Sequence, residues 1–152
     1  MSRLLSQVGW ACIRFHDETV RQVEAERVQC DEIWSFVHCK QRNKTEKHKD
    51  RTGIGSAWTF TALDPDSKLI ISWDTGKRTE KTACRFMEDL ASRLANRVQL
   101  TTDGLASYLW AVPRAFGEDV DYARIIKMFG RNLADDTRYS PPVCVGTKKE
   151  AT

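Results

Sequence analysis

Asp31 and Asp103 are the residues whose types and placement most directly invite chemistry. Asp31 lies inside VQCDEIWSFV (28–37), an apolar run with the composition of a β-strand. Asp103 closes RVQLTTDG (97–104), a second strand candidate that runs into Gly104. A carboxylate buried without a partner is costly. If these strands are neighbours in one sheet, the two carboxylates converge, and a bound divalent cation removes that cost. Hard oxygen ligands suit Mg²⁺ or Mn²⁺, which retain several waters. A pair of such ions activates a nucleophile and stabilises the leaving oxygen in phosphodiester chemistry. Each aspartate also has a plainer role open to it. Asp31 would serve as a strand-edge acid paired with Arg or Lys, and Asp103 as the N-cap of a following helix. Glu32 points away from Asp31 in a regular strand, so a salt bridge is its expected role. Asp64 and Asp66 belong to a turn.

The elements that must position these acids are legible along the chain. Residues 3–24 are expected to be helical, with Leu4, Val8, Cys12 and Phe15 recurring at helical spacing. Residues 27–38 form the first strand. The stretch SAWTFTALDPDSKLIISWDTG (56–76) holds two apolar runs around Asp-Pro-Asp-Ser, which predicts a hairpin of 57–63 and 68–74. The clearest helix is 79–95, where Ala83, Phe86, Met87, Leu90 and Leu94 form one apolar stripe, with Thr79 placed to cap its start. A strand over 97–104, a short helix over 105–112 that stops near Pro113, and a strand over 120–129 complete the pattern. Residues 131–152 are expected to be an irregular tail. The expected fold is α/β: a mixed sheet in βββαβαβ order with flanking helices. Its domains are a helical lead-in (1–26), a core (27–130) and the tail. Trp34, Phe36, Trp58 and Phe60 are read as core of the sheet, with stacking against nucleic-acid bases as the less favoured alternative.

Composition narrows the function classes. With 152 residues and 41% hydrophobic side chains, the chain can bury one core, and wholesale disorder is excluded. No apolar run approaches the length of a membrane span and no secretory leader is recognisable, so a cytoplasmic location is expected. The five cysteines (Cys12, Cys30, Cys39, Cys84, Cys144) contain no CxxC pair, which argues for reduced thiols over a zinc site. The net charge of +3 is concentrated in KQRNKTEKHKDR (40–51), where six Lys/Arg face two acids. A basic segment on a near-neutral body is a solvated loop or a contact for a polyanion. Neither a membrane partner nor a small-molecule substrate is indicated.

Several stretches resemble the insertion-sequence-one group of bacterial transposases. They are DEIWSFV (31–37), WTFTALDPDSKLIISWDTGKRT (58–79), FMEDLASRLANRVQLTTDGLASYL (86–109), VDYARIIKMFG (120–130) and RYSPPVCVGTKKE (138–150). The resemblance spans about residues 10–150. It implies an RNase H-like fold with an Asp-Asp-Glu metal site. The first two acids carry over to Asp31 and Asp103, which would hold Mg²⁺ or Mn²⁺. The implied activity is strand cleavage at transposon ends and joining to target DNA, in the bacterial cytoplasm and on the nucleoid when DNA-bound. The family's third acid, a Glu on a helix after the fifth strand, has no counterpart here. Glu150 precedes that block and is not assigned to it. The chain therefore resembles a catalytic-core fragment, expected to be inactive alone. On this reading Lys40, Arg42, Lys44, Lys47, Lys49 and Arg51 contact the DNA backbone, and a homo-oligomer is a further expectation. The alternative is a non-catalytic DNA-binding or oligomerisation module that inhibits a longer relative.

Overall fold

A computed structural model of the chain describes residues 2–48, 50–130 and 144–151. It is a mixed α/β structure. The elements run α1 (Ser2–Thr19), β1 (Arg27–Val37), β2 (Gly55–Leu63), β3 (Ile70–Gly76), α2 (Glu80–Arg93), β4 (Val98–Asp103), α3 (Tyr108–Phe116), β5 (Val120–Phe129) and β6 (Cys144–Ala151). Two single-turn 3-10 segments, Gln41–Asn43 and Glu46–His48, interrupt the basic loop. The six strands form one sheet in the order β3-β2-β1-β4-β5-β6. β1, β2 and β3 pair antiparallel, β1, β4 and β5 pair parallel, and β6 returns antiparallel on β5. Among the described residues no helix is long and apolar enough to cross a membrane.

The core forms because period-2 strands and a period-3.6 helix present apolar faces to one another. Val28, Phe60, Ile71 and Leu100 are fully buried on one face of the sheet, against Phe86, Met87 and Leu90 of α2. Phe60 meets the rings of Phe86 at 5.7 Å and Tyr108 at 6.4 Å, so both α2 and α3 cover this face. On the other face of β1, Gln29, Asp31 and Ile33 are exposed. At the hairpin, Asp64 Oδ1 accepts from the Asp66 amide at 2.9 Å and the Ser67 hydroxyl bonds Oδ2. These contacts, the hydroxyl first, hold the Asp64 carboxyl below its usual range.

Several expectations are corrected. The tail is not irregular throughout: Cys144–Ala151 is a strand, paired from Phe129↔Cys144 to Ala123↔Ala151. It lies at the sheet edge and has no buried residue, so it lacks the apolar alternation that marks a half-buried strand. The first helix ends at Thr19, and Gln22 takes a positive φ of 51° soon after. Pro113 lies inside α3 and does not end it, although a proline there gives up one amide donor and crowds the Leu109 carbonyl one turn back. Gly117, at φ 58°, ends the helix, and its N–H reaches the Pro113 carbonyl at 2.9 Å. Thr79 holds the N-cap position of α2 without a capping bond, its hydroxyl meeting that of Thr82 at 3.2 Å. Trp34 and Phe36 are not core: they are 42% and 46% exposed. They share the face of Phe60, but they extend past the helices that cover it.

Candidate functional site

The site is built where β1 and β4 run out together. Cys30 stands opposite Thr102 at the end of their ladder, so Asp31 and Asp103 are the next residue on each strand. Sites in open α/β sheets gather at the carboxyl ends of parallel strands, where chains diverge and side chains are free to face a ligand. Asp31 is exposed on the side away from α2 and α3, and its Oδ1 accepts the Glu32 amide at 2.8 Å. Its carboxylate forms no ion pair among the described residues. Asp103 divides its two oxygens. Oδ1 accepts the Leu105 N–H at 2.8 Å and closes the turn toward α3. Oδ2 accepts from Arg78 Nη2 at 3.1 Å.

Arg78 is the hub of this cluster. The same Nη2 that touches Asp103 lies 2.9 Å from Glu32 Oε2, and Nε also donates to that oxygen at 3.1 Å. Glu32 is the buried member, its side chain only 1% exposed. Its other oxygen accepts the Tyr108 hydroxyl. Burial raises the Glu32 carboxyl above its ordinary value; the Tyr108 and Arg78 bonds oppose this and the Asp103 charge adds to it. Burial also raises the Tyr108 hydroxyl, with the nearby thiol and carboxylates adding to it. Glu32 and Asp103 are thus joined through one guanidinium. The expected salt bridge of Glu32 is present, whereas Asp103 serves a turn and is not the N-cap of α3, a position that Ser107 occupies.

Asp31 and Asp103 offer hard oxygens on adjoining strand positions, a donor pair that fits a divalent cation keeping most of its waters. No group of three His, Cys, Asp or Glu that could hold a metal occurs among the described residues. A cation at Asp103 would compete with Arg78. Glu150 stands opposite Arg124 on β5 and is bonded to it and, at 2.8 Å, to Lys148. Those two cations hold its carboxyl below the usual range.

The basic loop lies beyond the end of β1, and its residues Lys40, Gln41, Arg42, Lys44, Asp50 and Arg51 border two adjoining clefts. One, of about 580 Å³, is lined by Lys44, Arg51, Lys77, Arg78 and Trp58 among others. The second, of about 510 Å³, is lined by Lys40, Arg42, Trp34 and Trp58. Lys47 is exposed in the second 3-10 turn, and Lys49 lies outside the described residues. Gly55, at the start of β2, is required by its backbone more than by its neighbours. Its φ of 108° suits glycine, whereas a Cβ there would meet only the movable end of the Gln41 side chain and the Lys44 chain. Arg78 and Tyr108 were invisible as site residues in the sequence. Arg78 is one cation among the Lys77-Arg78 pair before α2, and Tyr108 is one aromatic in a helical stretch. Neither has a spacing that announces a contact with Glu32.

No protein-family model matches the chain, and no curated protein matches it.

Proposed function

We propose that this chain is the catalytic core of a metal-dependent DNA transposase of the RNase H-like type. The observation that carries the reading is the placement of Asp31 and Asp103 at adjoining ends of the parallel neighbours β1 and β4. Support comes also from the element order, three antiparallel strands followed by helix–strand–helix–strand with parallel pairing, which agrees with the expected βββαβαβ core. The basic loop beyond β1 adds a surface suited to a DNA backbone.

Asp31 and Asp103 would hold Mg²⁺ or Mn²⁺, which when bound would polarise a phosphodiester and lower the pKa of an attacking hydroxyl. Arg78 sets the strength of that site. Its guanidinium already neutralises Asp103, so an incoming ion must displace or share it. Two carboxylates without a third give weak binding, since even changes around a metal's own ligands cost 10–100-fold in affinity. The 152-residue chain alone is therefore expected to cleave and join DNA weakly or not at all. The test is a Mn²⁺ titration by calorimetry on the intact chain. Weak binding that vanishes in both Asp31→Asn and Asp103→Asn supports the reading. Binding that is unchanged in either variant overturns it.

The second reading, a non-catalytic DNA-binding module that inhibits a longer relative, is favoured by one observation. Arg78 satisfies Asp103 and Glu32 together without any ion. DNA binding with no Mn²⁺ binding at all would select it.

A further inference from the structure

We infer that the paired clefts around Trp34 and Trp58 form a groove for single-stranded DNA, with bases against the indoles and phosphates along the basic loop. The inference rests on the DNA reading above for the polymer it names, and on separate geometry for its strandedness. The two clefts share Gln41, Ser56 and Trp58 in their linings, so they adjoin. Trp34 and Trp58 stand directly opposite each other on β1 and β2, which places both rings on one face of the ladder. Each ring already lies near a cation. Lys40 Nζ is 5.5 Å from the Trp34 centroid, and the Arg78 guanidinium carbon is 4.9 Å from that of Trp58.

The orientation of Trp34 is set: its indole N–H donates to Ser56 Oγ at 3.2 Å. A large apolar ring held in place yet 42% exposed contributes little to the core. Among the described residues, six cations line the two clefts, namely Lys40, Arg42, Lys44, Arg51, Lys77 and Arg78, against the one carboxylate of Asp50. Aromatic rings interleaved with cations make a stacking platform inside an electrostatic funnel, the combination that binds unpaired strands. In a duplex the base faces are stacked on one another, so the indoles can reach only bases that are free. Arg78 lines the groove and touches Asp103, so a strand lying in it passes beside the carboxylates.

The test measures fluorescence anisotropy of labelled oligothymidylate of about 12 nucleotides, within the span one such groove covers, against a duplex of equal length. The 152-residue chain is used across a salt series. Trp34→Ala is expected to weaken single-strand binding at least about fivefold, the low end for loss of one stacked base. Duplex binding and the salt slope should not change, and Trp34→Phe should retain most of the affinity. Arg42→Ala should instead lower the slope of log affinity against log salt by about one. Equal losses on single strand and duplex, or no loss on either, would overturn the groove. Because the readout is binding without metal, the groove can fail while Mn²⁺ binding at Asp31 and Asp103 persists, and the reverse.

Discussion

One face of the sheet contains two regions that look alike in sequence and differ in everything else. Under α2 and α3, Val28, Phe60 and Leu100 are fully buried. A few residues further along the same strands and on the same face, Trp34 and Phe36 are exposed, while the half-buried Trp58 still packs against the edge of the core. Both regions satisfy the alternation that marks a buried strand face. The difference is the covering layer: α2 starts at Glu80, just past Arg78, and Trp34 is left 42% exposed beside the basic loop. Between the regions sits Glu32, buried like its neighbours on one side and tied to Arg78 on the other. Apolar character alone therefore does not distinguish a residue that holds the fold from one that is free to meet a ligand. The position of the helix ends decides.

The strongest way to break this comparison uses the same substitution in both regions. Phe60→Ala removes a fully buried ring between Phe86 and Tyr108 and should cost about 3–5 kcal/mol. Phe36→Ala should cost less than about 1 kcal/mol, since much of that ring is already in water. Urea unfolding of both variants reads the difference, and equal losses would mean that Phe36 is covered in solution. At the border, Arg78→Ala should cost about 1–3 kcal/mol near neutral pH, because Glu32 keeps its burial and loses its cation. Burial has already raised the folded Glu32 carboxyl, so its contribution to stability is fullest below the ordinary glutamate value and is lost as pH rises through the folded value. Removing Arg78 raises that folded value further. The deficit of the variant should therefore widen from acidic to neutral pH in metal-free buffer, and a deficit that is constant with pH would show that Glu32 is not its source.

The same contrast explains what was legible in the sequence. The strands β1 to β5 and the helix α2 announce themselves because each buries one side against a partner, and burial imposes a period. α1 carries a comparable apolar stripe, yet none of its residues is buried. It is fastened at its end by polar contacts, Asp17 with Arg93 at 2.8 Å and His16 with the Ile70 carbonyl at 2.9 Å. Periodicity marked the helix, although its stripe is not buried as that of α2 is. β6 left no signal because an edge strand with Lys148, Lys149 and Glu150 need not alternate. At the site, Asp31 and Asp103 were legible as acids at strand positions. Their relation to Glu32 was not, because it depends on Arg78 reaching across from the start of another helix, a contact 46 residues away in sequence.

The smallest effect on stability should come from the basic loop, and that smallness is informative. Lys44 and Lys47 form no ion pair among the described residues, and Lys47 is exposed. Exposed charges of this kind contribute little to folding, so Lys44→Ala with Lys47→Ala should change the unfolding free energy by no more than about 0.5 kcal/mol. If these lysines hold a DNA backbone, each should release about one counterion on binding, and the double variant should flatten the salt slope by about two. A loop that stabilises nothing but sets the salt dependence is retained for a polyanion. An unchanged slope with unchanged stability would leave the lysines as ordinary solvated charge. It would also confine DNA contact to the strip from Lys40 and Arg42 to Arg78, where aromatic rings and cations occur together.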